Sequence, residues 1–414
     1  MKFGLIGEKL SHSFSPKIHK TLGGYDYELL ELAPNELEQF MLKKDFSGIN
    51  VTIPYKRDVI KYLDFVSEEA EAIGAVNTIV NRGGKLYGYN TDCLGLKSAF
   101  RFYGISLEGK KVAVLGTGGT SATAKYVAQT GGAKRVLLVS RSKDKGDITY
   151  DELYKCFSDT EVIINTTPSG MYPNVEGVPI DISRFKDLKA VADAVYNPLK
   201  TNLVANAKKI GIPAFSGLYM LVAQAAFAAE KFADTDFSSK INSVFYGILN
   251  EKRNIALIGM PGSGKSTIGK ELAKVLDKDF VDTDDMIVKT AKADIPEIFS
   301  EFGEEYFRTL ETIEVKKASL YNNTVIATGG GAVLNGENIT ALSRNCVIVF
   351  LDRPLEDIVG TADRPLAKTN EMLRKRYEER IDIYRSSADI IVKIGSCVAE
   401  NTAKIIDKFK NFGD

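Results

Sequence analysis

Short runs of Val, Ile and Leu alternate with longer amphipathic stretches along most of the chain. The clearest apolar runs cover residues 111–115, 135–139, 162–165, 190–194, 255–258, 325–328 and 347–351. Such alternation is typical of βαβ units, in which helices cover a sheet of parallel strands. The pattern therefore predicts an α/β protein with parallel sheets, together with a strand at residues 25–27 and a long helix at residues 237–253.

Length and charge narrow the class of protein. The chain has 414 residues, and about 150 residues per domain predicts two or three domains. Its 54 Lys and Arg residues equal its 54 Asp and Glu residues. It therefore lacks the basic excess that binds nucleic acids or anionic membranes. We expect small-molecule partners, with no nucleic acid and no membrane, and the sequence does not indicate an oligomeric state.

Targeting signals and metal-binding patterns are not evident. The longest apolar stretch, residues 218–229, is shorter than the ~20 residues that span a bilayer, and the first residues lack a secretory apolar core. The four cysteines are scattered without a CxxC pair, which argues for reduced thiols and against zinc. We predict a cytoplasmic protein. With only His12 and His19 in the chain, acid–base catalysis must fall mainly to lysines and carboxylates.

The first glycine-rich loop follows the apolar run at residues 112–115. Gly116 and Gly118 occupy positions where a tight turn and a close pyrophosphate need no Cβ, and Ser121 takes the third glycine position. The next predicted strand ends in Ser140 and Arg141, where a guanidinium suits a ribose 2′-phosphate. The loop therefore predicts NADP rather than NAD. The alternative is a plain tight turn with a surface arginine.

The second loop, residues 259–266, matches the Walker A pattern in full and follows the strand-like residues 254–258. In this pattern Lys265 reaches the β and γ phosphates, and Ser266 binds Mg²⁺. A further strand at residues 278–281 is predicted to continue through Asp282 and Asp284, with both carboxylates on one side. One carboxylate could serve the metal and the other a substrate hydroxyl. The alternative for this pair is two solvated turn residues.

The C-terminal part, about residues 253–414, resembles a shikimate kinase. Beyond the Walker loop, the matching segments are residues 280–284, 302–308 with Glu311, and 328–333. The resemblance implies that Asp284 and Arg308 hold shikimate, that Gly330 lines the same pocket, and that Arg380 binds the substrate carboxylate. It also implies a P-loop domain with a parallel sheet.

The same resemblance extends to phosphoryl transfer. Asp282 would assist Mg²⁺ beside Ser266, while Lys265 and Asp284 would be catalytic. The implied nucleotide-binding residues are Gly262, Ser263, Gly264, Lys265, Ser266, Thr267 and the lid arginine Arg364. The chain departs from the family pattern in two places. Its lid before Arg364 is short and lacks the adenine-side arginine, and Asp382 stands where the family commonly has proline.

The N-terminal part, about residues 1–250, resembles a shikimate dehydrogenase. The matching segments are residues 11–16, 50–56, 75–78, 90–95, 165–168 and 217–220. The resemblance implies a substrate lobe at about residues 1–92 plus 217–250 and a Rossmann lobe at about 93–216. Its implied substrate-binding residues are Ser13, Ser15, Thr52, Asn77, Asp92, Tyr196 and Gln224. The implied NADP-binding residues are Gly116, Gly118, Gly119, Thr120, Ser140, Arg141, Thr166 and Gly217.

By the same resemblance, Lys56 and Asp92 form the catalytic pair. Reduction of a ring ketone by a hydride generates an alkoxide, which a nearby ammonium can stabilise and protonate. An aspartate close to Lys56 would orient it, although a buried pair could equally be structural. The functional interpretation is favoured because Lys56 follows a Thr-x-Pro turn. His12 is interpreted as a structural hydrogen-bonding residue.

The sequence thus predicts a two-lobed dehydrogenase followed by a P-loop kinase domain. By resemblance, the first reduces 3-dehydroshikimate with NADPH and the second phosphorylates shikimate with ATP and Mg²⁺. Two alternatives stay open: a dehydrogenase that acts on quinate, and a nucleotide-sensing regulatory protein with inactive sites.

Overall fold

The computed structural model describes residues 2–10, 13–358 and 370–413. The chain forms two units, residues 1–248 (the first unit) and residues 249–414 (the second unit). Among the described residues, no helix is both long enough and apolar enough to cross a membrane.

The first unit begins with a mixed six-stranded sheet in the order β2-β1-β3-β5-β6-β4. The strands are β1 (Phe3–Gly7), β2 (Glu28–Glu31), β3 (Gly48–Val51), β4 (Phe65–Val66), β5 (Thr78–Arg82) and β6 (Lys85–Tyr89). The helices are α1 (Ser15–Gly23), α2 (Leu37–Lys43), α3 (Glu68–Ile73) and α4 (Thr91–Phe102). Strand β5 runs antiparallel to β3 and β6. Strands β1 and β3 are fully buried, as their apolar composition predicts.

The second sheet of this unit has six parallel strands in the order β12-β11-β10-β7-β8-β9. The strands are β7 (Lys111–Leu115), β8 (Arg135–Ser140), β9 (Ile148–Thr149), β10 (Val162–Asn165), β11 (Ala190–Asp193) and β12 (Ala214–Phe215). The helices are α5 (Gly119–Thr130), α6 (Tyr150–Cys156) and α7 (Asn202–Lys209). The strand order reverses at β7, so the Gly116 loop lies at the crevice where such sheets bind ligands.

Two more helices, α8 (Leu218–Ala233) and α9 (Ile241–Lys252), follow the second sheet. Helix α8 packs on α4 of the first sheet. Their close approach depends on Gly95, where a Cβ would lie 2.7 Å from the carbonyl oxygen of Met220. The absent side chain therefore lets Asp92 on α4 and Gln224 on α8 reach the same cavity.

The second unit contains a five-stranded parallel sheet in the order β14-β15-β13-β16-β17. The strands are β13 (Asn254–Ile258), β14 (Asp279–Asp282), β15 (Thr324–Ala327), β16 (Cys346–Asp352) and β17 (Ile390–Lys393). The helices are α10 (Lys265–Leu276), α11 (Thr283–Ala291), α12 (Ile295–Ser319), α13 (Gly336–Ser343), α14 (Asn370–Ser387) and α15 (Val398–Lys410). Helix α12 is kinked at Gly303, whose φ is 80°.

Both faces of this sheet are buried, because alternate residues of β13 enter different cores. Ala256 and Ile258 pack in one apolar cluster, whereas Ile255 and Leu257 pack in the other. The central strand is therefore apolar from Ile255 to Ile258, which is the pattern expected of a strand covered on two sides.

The seven apolar runs that the sequence analysis singled out all form parallel strands, which confirms the predicted α/β class. The predicted strand at residues 25–27 is wrong, since strand β2 begins at Glu28. The predicted helix at residues 237–253 corresponds to a 3₁₀ turn at Ser238–Lys240 followed by α9.

Candidate active sites

A cavity of about 230 Å³ in the first unit is lined by residues of the first sheet and by residues that follow strands β7, β11 and β12 of the second sheet. It brings together residues that lie far apart in the sequence. All of the predicted substrate-binding and catalytic residues of this part line it: Ser13, Ser15, Thr52, Lys56, Asn77, Asp92, Tyr196 and Gln224. Thr120 and Gly217, which were predicted to bind the cofactor, line this cavity as well.

The charged pair in this cavity is Lys56 and Asp92. The Lys56 ammonium lies 2.6 Å from Asp92 Oδ2, and the side chains are 20% and 14% exposed. Lys56 follows a turn in which the Tyr55 N–H donates to the Thr52 carbonyl, and Asp92 lies in the first turn of α4. A mostly buried ammonium held by one carboxylate can donate a proton to an oxygen that becomes negative.

Polar side chains behind this pair are held by their own hydrogen bonds. The Asn77 side-chain oxygen accepts the Thr91 N–H at 2.7 Å, and the Asn77 amide faces Gln224 Oε1 at 3.5 Å. The Asn50 amide donates to the Asn77 carbonyl, while Asn50 Oδ1 accepts the Tyr27 hydroxyl at 2.6 Å. Asn50 also lines the cavity, and the sequence analysis did not single it out. A buried asparagine within an apolar strand was the available signal.

The histidine that the structure describes takes no part in this cavity. His19 stacks on Tyr27 with ring centroids 4.1 Å apart, and burial lowers its pKa to about 3. It is therefore neutral near pH 7. His12 lies outside the described residues.

A second cavity of the first unit, about 980 Å³, surrounds the Gly116 loop. Gly116, Gly118, Ser140, Arg141 and Thr166 line it as predicted, whereas Gly119 is the first residue of α5 and is not among its lining residues. Tyr150 also lines the cavity, and the sequence analysis did not identify it.

A directed chain of hydrogen bonds holds this loop. The Gly118 N–H donates to Ser121 Oγ, which lies 2.7 Å from Thr166 Oγ1, and the Thr166 hydroxyl donates to the Leu115 carbonyl. No neighbouring atom lies within 4 Å of the position that a Cβ on Gly118 would take. This open approach at a helix N-terminus, with the Arg141 cation in the same cavity, fits the phosphates of NADP.

The second unit has a cavity of about 510 Å³ at the carboxyl ends of its strands. Most of the residues predicted for nucleotide, metal and substrate line it: Gly262, Gly264, Lys265, Ser266, Thr267, Asp282, Asp284, Arg308, Gly330 and Arg380. Ser263 is buried within the loop and is not among these lining residues. Arg364 lies outside the described residues.

The Walker loop places its charged and hydroxyl groups toward this cavity. The Lys265 ammonium donates to the carbonyls of Gly259 and Met260, at 2.9 Å each. The Ser266 hydroxyl donates to Asp282 Oδ2 at 2.6 Å. Hydroxyl and carboxylate oxygens are the ligands that Mg²⁺ prefers, so this pair fits the ion.

The predicted strand geometry of Asp282 and Asp284 is wrong, although both line the cavity. Thr283 begins helix α11, and Asp282 caps that helix by accepting the Asp284 N–H at 3.0 Å. Aspartate competes for backbone N–H groups and therefore favours the start of a helix over a continuing strand.

Asp284 is the most perturbed carboxylate among the residues lining this cavity. Burial, and then the nearby charge of Asp282, raise its pKa to about 6. Its Oδ1 atom is buried without a hydrogen-bond partner. Such a carboxyl group can accept a proton near neutral pH, which suits it to a substrate hydroxyl.

Arginine side chains also line this cavity. The Arg308 guanidinium pairs with the buried Glu311 at 2.8 Å, and Arg380 donates to the Gly330 carbonyl at 3.1 Å. A Cβ on Gly331 would lie 2.1 Å from the Arg308 guanidinium, so a side chain at this position would displace that cation. Arg353 and Arg376 also line the cavity and were missed by the sequence analysis. No motif marked them.

Two family models match the chain, one in each unit. Residues 5–79 match the family model "Shikimate dehydrogenase substrate binding domain", and residues 261–410 match the model "Shikimate kinase". A shikimate dehydrogenase (NADP(+)) of Clostridium beijerinckii is 39% identical over 270 residues, which cover 60% of this chain and 98% of the relative. The chain belongs to the shikimate dehydrogenase family. Beyond that part, it carries a shikimate kinase domain.

Solved structures of the shikimate dehydrogenase family share the fold of the first unit. Shikimate dehydrogenase 1 of Peptoclostridium difficile is 38% identical, with a TM-score of 0.55, and covers 60% of this chain and 98% of its own. A chorismate mutase/shikimate 5-dehydrogenase fusion protein of Clostridium acetobutylicum is 36% identical, with a TM-score of 0.56, and covers 59% and 96%. Fusion of a dehydrogenase of this family to a second enzyme therefore has a precedent.

Proposed function

We propose that this chain catalyses two consecutive reactions of the shikimate pathway. The first takes place at the Lys56 cavity and the second at the Walker loop. The first unit reduces 3-dehydroshikimate to shikimate with NADPH, and the second phosphorylates shikimate to shikimate 3-phosphate with ATP. The observation that carries this proposal is where the two family matches lie. The shikimate kinase match covers the residues that line the Walker cavity, and the dehydrogenase match covers the residues of the Lys56 cavity up to Asn77. The hydroxyl group that forms at the first site is the group that is phosphorylated at the second.

At the first site, Lys56 is the proton donor. When bound, NADPH supplies the hydride that the ketone accepts. As the ketone oxygen gains negative charge, the Lys56 ammonium stabilises it and passes it a proton. Asp92 keeps the ammonium in place through its 2.6 Å contact. Ser13 and Ser15 bind the substrate carboxylate, and Ser15 is fixed because its N–H donates to Ser13 Oγ.

At the second site, Asp284 receives the substrate hydroxyl. Its raised pKa lets it hold or accept the hydroxyl proton near neutral pH. Arg308 and Arg380 bind the carboxylate of shikimate, because guanidinium groups match carboxylates through paired hydrogen bonds. Lys265 stabilises the negative charge on the transferring phosphate, and Ser266 with Asp282 would hold the Mg²⁺ that accompanies ATP.

Arg141 makes NADP the expected cofactor rather than NAD. It lines the cofactor cavity at the end of strand β8, where the ribose of a dinucleotide lies in Rossmann folds. A cation there favours a 2′-phosphate over a 2′-hydroxyl.

Two assays test these assignments separately and address the alternatives. For the first unit, oxidation of shikimate and of quinate by NADP⁺ is compared. Faster turnover of quinate would replace the proposed substrate. For the second unit, ADP release is measured with and without shikimate and Mg²⁺. If both units bind nucleotides but turn over neither substrate, the protein is a nucleotide sensor and the enzymatic proposal fails.

A further inference from the structure

Arg353 lies beside the Walker loop because two neighbouring strands end together. Strands β13 and β16 are parallel partners, with Ile258 opposite Phe350. The chain beyond Ile258 enters the Walker loop, and the chain beyond Phe350 reaches Arg353 three residues later. The Arg353 N–H donates to the Leu351 carbonyl at 3.1 Å. The fold therefore brings an arginine that no motif marks to the phosphate loop.

The Arg353 guanidinium points to the same cavity as the loop. Its Nη1 atom lies 3.8 Å from the position that a Cβ on Gly264 would take, and Arg353 lines the cavity with Gly262, Lys265 and Ser266. The Arg308 and Arg380 guanidiniums, in contrast, lie next to Glu311 and Gly330. Arg353 therefore belongs to the nucleotide side of the cavity.

The charge of Arg353 is not neutralised by the part of the chain that the structure describes. Its Nε atom is buried without a hydrogen-bond partner, and no described carboxylate forms an ion pair with it. A buried guanidinium donor without a partner costs free energy, which an anionic ligand can offset. An arginine with a purely structural role would be expected to have its buried donor satisfied.

We infer that Arg353 binds the polyphosphate of the nucleotide at the Walker loop. This inference rests on the proposed kinase function and deepens it. The guanidinium adds a second fixed cation to Lys265, with planar donors that suit phosphate oxygens. Arg353 thus sets nucleotide affinity.

The test measures the Kd of ADP for the full chain by isothermal titration calorimetry and the KM of shikimate in the phosphorylation assay, which reports the second unit alone. In Arg353→Gln, the Kd of ADP is expected to rise roughly 10- to 100-fold at low salt, because a charge-assisted hydrogen bond is lost. The KM of shikimate is expected to stay within about twofold. Arg353→Lys keeps the charge and should recover part of the ADP affinity. Because the contact is ionic, the loss of ADP affinity in Arg353→Gln should shrink when the KCl concentration is raised about tenfold, from about 50 mM to about 500 mM.

The matched control is Arg374→Gln on helix α14, where the side chain is 76% exposed and pairs loosely with Glu378. Arg374→Gln should change neither the Kd of ADP nor the KM of shikimate. Unchanged ADP binding in Arg353→Gln would overturn the inference, as would a loss that salt does not alter, which would indicate stacking on the base. If the wild-type chain bound no ADP, the proposed kinase function would fail together with the inference. Unaltered dehydrogenase activity and circular dichroism would show that each variant is folded.

Discussion

The Gly116 loop of the first unit is held by neutral hydroxyls, whereas the Gly259 loop of the second unit is held by the ammonium of Lys265. The first loop also lies in a different cavity from the proposed proton donor, Lys56. In the second unit, the loop, its lysine and Asp284 all line one cavity.

This difference separates two ways of using a bound nucleotide. In the proposed mechanism of the first unit, cofactor binding and proton transfer depend on different side chains, so each can be altered alone. In the second unit, Lys265 holds the loop and is also proposed to stabilise the phosphate, so a single change should damage binding and catalysis together. The predictions below test that contrast.

Lys56→Ala should give the largest effect. Loss of the proton donor is expected to lower kcat for 3-dehydroshikimate reduction roughly 10²- to 10⁴-fold, with NADPH binding nearly unchanged. Steady-state kinetics and NADPH fluorescence titration measure the two quantities. Lys61→Ala, at an exposed position nearby, is the control. A large loss of NADPH affinity in Lys56→Ala would contradict the separation of functions.

Lys265→Ala should lower shikimate phosphorylation by roughly 10²- to 10³-fold, because a preorganised charge at the phosphate is lost. Unlike the Lys56 change, it should also weaken ATP binding. Dehydrogenase activity of the same preparation should stay at the wild-type level. Lys274→Ala, exposed on the same helix, serves as control. If Lys265→Ala bound ATP normally, or lost dehydrogenase activity, the contrast would be wrong.

Arg141→Gln should raise the KM for NADPH roughly 10- to 100-fold, since a charge-assisted contact to phosphate is removed. The KM for NADH should change little, because NADH lacks the 2′-phosphate. The ratio of kcat/KM values for the two cofactors reports the effect. Arg101 is exposed on α4, and the control Arg101→Gln should leave that ratio unchanged. An equal fall in kcat/KM for NADPH and NADH would argue against a 2′-phosphate contact.

Ser121→Ala should have the smallest effect. It breaks the hydrogen-bond chain from Gly118 to Thr166 and leaves the Gly118 N–H without its partner. We expect a loss of about 1–2 kcal/mol in the free energy of local opening. Hydrogen exchange at the start of helix α5 measures this loss, with exposed Ser239→Ala as the control. Unchanged exchange would mean that the hydroxyl chain does not stabilise the loop.

Local patterns predicted the parallel strands and both glycine-rich loops, and the resemblance to the two families supplied most of the predicted residues that line the cavities. Those features depend on short stretches of sequence with strong physical preferences, such as a glycine loop between a strand and a helix. The geometry at Asp282 was missed because alternation assumes a continuing strand, whereas its side chain caps a helix. Arg353 was missed because only the pairing of β13 with β16 brings it to the loop.

The most direct test of the central claim is one reaction vessel that contains the whole chain. Purified protein is mixed with 3-dehydroshikimate and NADPH, NADPH loss is followed, and ATP with Mg²⁺ is then added. The account predicts NADPH loss, followed by ADP release and by shikimate 3-phosphate that depends on the newly formed shikimate. NADPH loss without phosphorylation would contradict the proposed second reaction, and no reaction at either step would contradict both.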